Sequence, residues 1–153
     1  MVRPVGFALG LLALTACGSG IFGSGSGRPS SQQFTREVAV VPGNLVQAAV
    51  TTFGRYGIPI AEADEPGGRV RTIAVNLRSL TGRFREVPLT CPQRAGDDTP
   101  VRMRFDVRVR RTNNGSAIEL QTEREGDSGC VVRSAFVSEL LDEIANTARE
   151  PRR

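Results

Sequence analysis

VRMRFDVRVRRTNNGSAIELQTERE, residues 101–125, decides how the rest of the chain must be arranged. Val101, Met103, Phe105, Val107 and Val109 alternate with Arg102, Arg104, Asp106, Arg108 and Arg110. That strict period of two marks a strand with one buried and one wet face. After Asn113-Asn114-Gly115 the alternation resumes, with Ile118, Leu120 and Thr122 set between Glu119, Gln121 and Glu123. A tight turn at Asn114-Gly115 would place Asp106 opposite Glu123, an unfavourable pair. A loop of Thr112 to Gly115 instead sets Arg108 against Glu119, Arg104 against Glu123 and Arg102 against Glu125. The same shift puts Val109 opposite Ile118 and Val107 opposite Leu120. Both faces improve together, so this is the register expected.

Elements on either side supply the material to cover the apolar face. Ser134 opens a helix to Ala148 whose stripe is Phe136, Val137, Leu140, Leu141, Ile144 and Ala148. Upstream, Asn44 is placed to cap a helix running to Tyr56, with Val46, Ala49, Val50 and Phe53 on one face and Gly57 as its stop. A short strand is expected over Arg36–Val41, a second over Ile58–Ala63 and a third over Val70–Leu77, where Ile73, Val75 and Leu77 alternate with polar neighbours. Residues 78–100 read as irregular. The expected fold class is α+β: a two-layer domain in which an antiparallel sheet of about four to five strands carries two helices on one face.

The start of the chain has a different grammar. Arg3 precedes a run from Val5 to Leu14 of about ten mostly apolar residues, well short of the roughly 20 needed to span a bilayer. Small residues then lead into Cys17, completing the three zones of a secretory signal. Leu14-Thr15-Ala16-Cys17 resembles the lipobox of bacterial lipoproteins. The resemblance implies cleavage before Cys17, diacylglycerol on its thiol, acylation such as palmitate on the new amino group, and a stable hold on a membrane surface. Gly18 stands where an inner-membrane lipoprotein commonly carries Asp, which implies the periplasmic face of the outer membrane in a Gram-negative host. The expected organisation is therefore a signal peptide over 1–16, a Gly/Ser-rich tether over 17–33 and a globular domain over 34–150. The tether contains Gly18, Gly20 and Gly23 in dinucleotide-loop spacing, but no strand precedes them to build that site.

With Cys17 assigned to lipid, Cys91 and Cys130 remain as a pair in a compartment where disulfides persist. They are expected to bond to each other. The chain has no histidine, and inspection of the sequence shows no lysine, so its formal charge of +4 is carried by arginine. Catalysis by Ser-His-Asp or Cys-His and histidine metal centres are excluded, as is a phosphate loop that needs lysine. No metal or cofactor is expected, and an exported chain does not meet nucleic acid. Carboxylates are the remaining catalytic option: Glu62 with Asp64, Asp97 with Asp98, or Asp127. The arginine row Arg102, Arg104, Arg108 and Arg110 could instead bind anionic lipid or glycan, although the expected register sets carboxylates beside most of it.

The order of elements, with Cys130 leading into the last helix, resembles the small helix-grip-like domains of outer-membrane lipoproteins such as BamC. That resemblance implies an accessory binding module. The expected function is a non-enzymatic, lipid-anchored module for another envelope component, a protein first, with the arginine face as the alternative and a carboxylate hydrolase behind both. The sequence leaves oligomeric state open.

Overall fold

The structure, a computed structural model, describes residues 31–80, 82–86, 88–92, 100–126 and 128–150. The signal, Cys17, most of the expected tether, Asp97, Asp98 and Asp127 lie outside the described residues. In chain order the elements are β1 (Ser31–Val38), α1 (Pro42–Arg55), β2 (Ile60–Asp64), β3 (Arg69–Thr72), β4 (Val75–Asn76), a 3-10 turn (Leu77–Leu80), β5 (Leu89–Thr90), β6 (Arg102–Thr112), β7 (Gly115–Glu125), β8 (Val131–Val132) and α2 (Ser134–Arg149).

The hairpin sits at the heart of the sheet. The β6–β7 ladder pairs Arg102 with Glu125, Arg104 with Glu123, Val107 with Leu120, Arg108 with Glu119 and Val109 with Ile118, the register expected from the alternation. Pairing continues to Thr112 and Gly115, so only Asn113 and Asn114 remain as the connection. Gly115 has a positive φ of 144°, and a Cβ there would stand 2.3 Å from the carbonyl oxygen of Val38. Only glycine lets β1 and the turn approach so closely. The sheet order is β1-β7-β6-β3-β2, with β4 also alongside β6, and every pairing is antiparallel.

Both helices cover the face carrying Met103, Phe105, Val107, Ile118 and Leu120, all of which are buried. Helix α2 buries Phe136, Val137, Leu140, Leu141, Ile144, Ala145 and Ala148, the expected stripe with Ala145 added. Helix α1 buries Leu45, Val46, Ala48, Ala49, Thr52 and Phe53, while Val50 is half-buried. Rings link the layers: Phe53 stacks on Phe105 at 5.9 Å, and Phe136 meets Phe105 at 6.4 Å and Phe84 edge-on at 4.6 Å. Tyr56 stacks on Phe84 at 3.9 Å. Fully burying each such side chain contributes about 1.5–3 kcal/mol, so the shared seam is the main source of cohesion.

Several boundaries differ from the sequence expectation. Helix α1 starts at Pro42, not after a cap at Asn44, because proline lacks the N–H that a first helical residue leaves unused. Ser134 is likewise the first residue of α2, whose cap position is Arg133 with no side-chain cap. The first strand is Ser31–Val38 and not Arg36–Val41, so Ser31, Gln32 and Gln33 at the end of the expected tether are paired to β7. The expected third strand is interrupted. Val70, Thr72 and Ala74 point inward, and Ile73 is 49% exposed with its N–H given to the carbonyl of Pro59. Thr72 reads as polar but is buried, its hydroxyl accepting the amide of Phe105 at 2.9 Å. One satisfied polar residue was enough to invert the apparent phase over Val70–Ile73, while Leu77 is buried and Val75 packs against the core as expected.

Described parts of the expected irregular stretch 78–100 are held to the rest of the domain. Cys91 is bonded to Cys130 across 39 residues, next to the two-residue β5–β8 ladder. Arg124 also donates to the carbonyl of Cys130 at 2.7 Å. Further back, Glu139 on α2 accepts the amides of Arg85 at 3.1 Å and Glu86 at 3.0 Å, one on each oxygen. Burial pushes the Glu139 carboxyl upward, but the Glu86 and Arg85 amides and the Arg85 guanidinium outweigh it and hold the group below its ordinary range.

Two outcomes follow for stability. Reducing the disulfide frees a long loop in the unfolded chain, and the chain-entropy estimate is a loss of about 4 kcal/mol at most. Guanidinium unfolding with and without reductant reads this directly, and unchanged midpoints would contradict it. Because its folded pKa is lowered, Glu139 contributes stability that is complete above the ordinary glutamate value of about 4.3 and is lost as pH falls through the lower folded value. Glu139→Gln removes that gain, so the stability gap between wild type and variant narrows on acidification through this window. Urea midpoints at a series of pH values would show it.

Candidate binding surfaces

The sheet's uncovered face gathers the charges of five strands. Residues directly opposite each other in an antiparallel ladder share a face. Arg69 of β3 stands opposite Arg108, which stands opposite Glu119, and Arg71 stands opposite Asp106. Glu62 and Asp64 of β2 join the same face opposite Arg71 and Arg69. The four expected arginines are thus brought together, with two more from β3.

Each of the four has a carboxylate partner. Arg102 reaches Glu125 at 3.3 Å, and Arg104 reaches Glu125 at 2.9 Å and Glu123 at 3.8 Å. Arg110 takes Glu119 at 2.5 Å, so Arg108, expected to pair with Glu119, lies 3.7 Å from Asp106 on its own strand instead. Long side chains reach the diagonal neighbour in a ladder as easily as the one directly opposite. Asp106 is the hub: Arg69 grips both its oxygens at 3.1 and 2.5 Å, and Arg71 stands at 3.6 Å. Its side chain is only 15% exposed. The β3 arginines could not be assigned from sequence, because the apparent phase of that strand was inverted.

Of the acids considered for catalysis, the two among the described residues, Glu62 and Asp64, are otherwise engaged. Asp64 accepts the amide of Gly67 at 3.0 Å and closes the β2–β3 turn. Glu62 stands 4.0 Å from Arg71.

A second surface lies on the other side of the sheet's rim, where β1 runs beside α2. A cavity of about 340 Å³ opens there, lined by Phe34, Thr35, Arg36, Val137, Ser138, Leu141 and Asp142. Its lining combines apolar side chains from Phe34, Val137 and Leu141 with an ion pair between Arg36 and Asp142. Phe34 is only half-buried although it lies opposite Leu120 in the core register. The signal for this surface was present as the alternation of Phe34, Arg36 and Val38. It was missed because Ser31–Gln33 read as the end of a Gly/Ser-rich segment.

No protein-family model and no curated protein matches the chain. Among solved structures, the crystal structure of a structural-genomics protein from Chromobacterium violaceum is similar over 81% of this chain and 100% of that one. At 12% identity and a TM-score of 0.44 this likeness carries no argument about function.

The hub at Asp106 gives a sharp test of the charged face. Asp106→Asn leaves three guanidinium groups facing one another around a neutral amide in place of their shared carboxylate. The expected loss is about 1–2 kcal/mol, discounted for partial exposure. The loss should shrink as salt screens the arginines. Urea unfolding of the variant at low and high ionic strength measures both effects, and a salt-independent loss would contradict the charge account.

Proposed function

We propose that this chain is a bacterial envelope lipoprotein, held to a membrane by lipid on Cys17, whose domain is a non-enzymatic module binding another envelope component, a protein. The observation that carries the reading is the Cys91–Cys130 bond. Of the three cysteines in the chain it accounts for two, leaving Cys17, the one preceded by Leu14-Thr15-Ala16, for acylation. Such a bond also suits an oxidising compartment, in keeping with export.

The domain supports a binding role through its surfaces. The half-apolar concavity described above lies at a strand edge beside a helix, a setting that suits association through an added strand. The charged face, with arginines and carboxylates interleaved, is a solvated surface that keeps the anchored domain soluble. Gly18 after the acylated cysteine favours the periplasmic face of the outer membrane when the host is Gram-negative.

Radiolabelled palmitate should enter the wild-type chain and not Cys17→Ser, and in a Gram-negative host the labelled protein should fractionate with the outer membrane. Equal labelling of the two chains would end the anchor reading. Detergent extracts of those membranes should then yield a specific co-purifying envelope protein.

A further inference from the structure

The two edges of the sheet are not alike. β2 is broken by a register shift between Ile60 and Glu62, follows Pro59, and carries Glu62 and Asp64. Proline, bulges and charge are the usual guards against strand addition. β1 has none of the backbone guards: its eight residues pair with β7 without a shift from Ser31–Glu123 to Val38–Ser116. Among the described residues no strand lies on its other side. We propose that β1 is the interface for a second copy of this chain, the two β1 strands pairing antiparallel about a two-fold axis to make one continuous sheet.

Of the two-fold registers that oppose no like charges, the one with Phe34 on the axis brings the two half-buried Phe34 rings together. With Phe34 opposite its own copy, Gln32 faces the other chain's Arg36, Gln33 faces Thr35, and Ser31 faces Glu37. Residues of like parity then meet, so the helix layers of both copies lie on one side, as a two-fold through the sheet requires. No like charges are opposed. A shift of two residues on each strand would set Arg36 against Arg36, and a further step Glu37 against Glu37, which are the unfavourable arrangements. In the favoured register the two Phe34 rings meet beside Val137 and Leu141 of both α2 helices, which covers the apolar lining of the β1–α2 cavity. Arg36 is already held by Asp142 of its own chain, which keeps its charge compensated as the strands approach. The pairing needs no anchor and is independent of the lipid reading.

The experiment uses the whole chain extracted in mild detergent. Sedimentation of the wild type should give a dimer. Chains carrying Gln33→Cys mixed with chains carrying Thr35→Cys should join through a short bis-maleimide, whereas Glu62→Cys mixed with Asp64→Cys on β2 should not. Gln33→Lys with Thr35→Lys sets lysines against one another on both sides of the axis and should weaken the dimer about tenfold or more. These positions are exposed and Thr35 lies opposite Glu119 of its own chain, so the thermal melt of the separated chains should hold. A monomeric wild type overturns the proposal, as does a dimer that joins through β2 or ignores the lysines. A monomer whose β1 amides become protected only when a different envelope protein is added also overturns it.

Discussion

The ladder between β6 and β7 imposes a constraint that every other element obeys. Its eleven paired positions run without a shift from Arg102–Glu125 to Thr112–Gly115. A slip of β6 by one residue would turn Phe105 and Val107 to water and its arginines inward. Because the register is held, one face offers a continuous apolar floor and the other a lattice of alternating charge. The helices have only one place to go. Phe53 and Phe136 both reach Phe105, so a single β6 side chain joins the two helices to the sheet.

The legible parts of the sequence were those where local pattern and tertiary role agree. The β6–β7 register could be read because apolar matching and charge matching selected the same loop. Helix α2 could be read because its stripe is uninterrupted over the helix, and the disulfide because the expected assignment of Cys17 to lipid left Cys91 and Cys130 as an even pair. Where one residue served a role its type does not advertise, the reading slipped. Thr72 is polar yet buried, and Ile73 is apolar yet half outside, so β3 was read one residue out of phase. Pro42 ended an element in the reading and begins one in the fold. Ser31–Gln33 have a tether's composition but are held by β7, since a strand can be recruited by a good template with little propensity of its own.

The same phase error hid the centre of the charged face. Arg69 and Arg71 arrive from β3, and Asp106, which looked like one acid in a basic strand, is where the guanidinium groups of β3 and β6 meet. Pairing on this face is not always with the residue directly opposite, as when Arg110 takes Glu119 and leaves Arg108 to Asp106 on its own strand. Register is a property of the backbone and can be argued from two faces at once. Ion-pair choice depends on side-chain reach and cannot.

The edges of the sheet follow from what lies next to them in the chain. β2 is joined to β3 by a turn that Asp64 closes, and its acids and register shift come with that turn. β1 is the first described element, and its other side faces the groove beside α2. The ladder that fixes β7 therefore also fixes β1 as a regular strand through their shift-free pairing. A rigid central hairpin thus produces, at the far side of its own partner strand, an edge straight enough to accept another strand. The feature that makes the fold legible is also what makes that edge available for recognition.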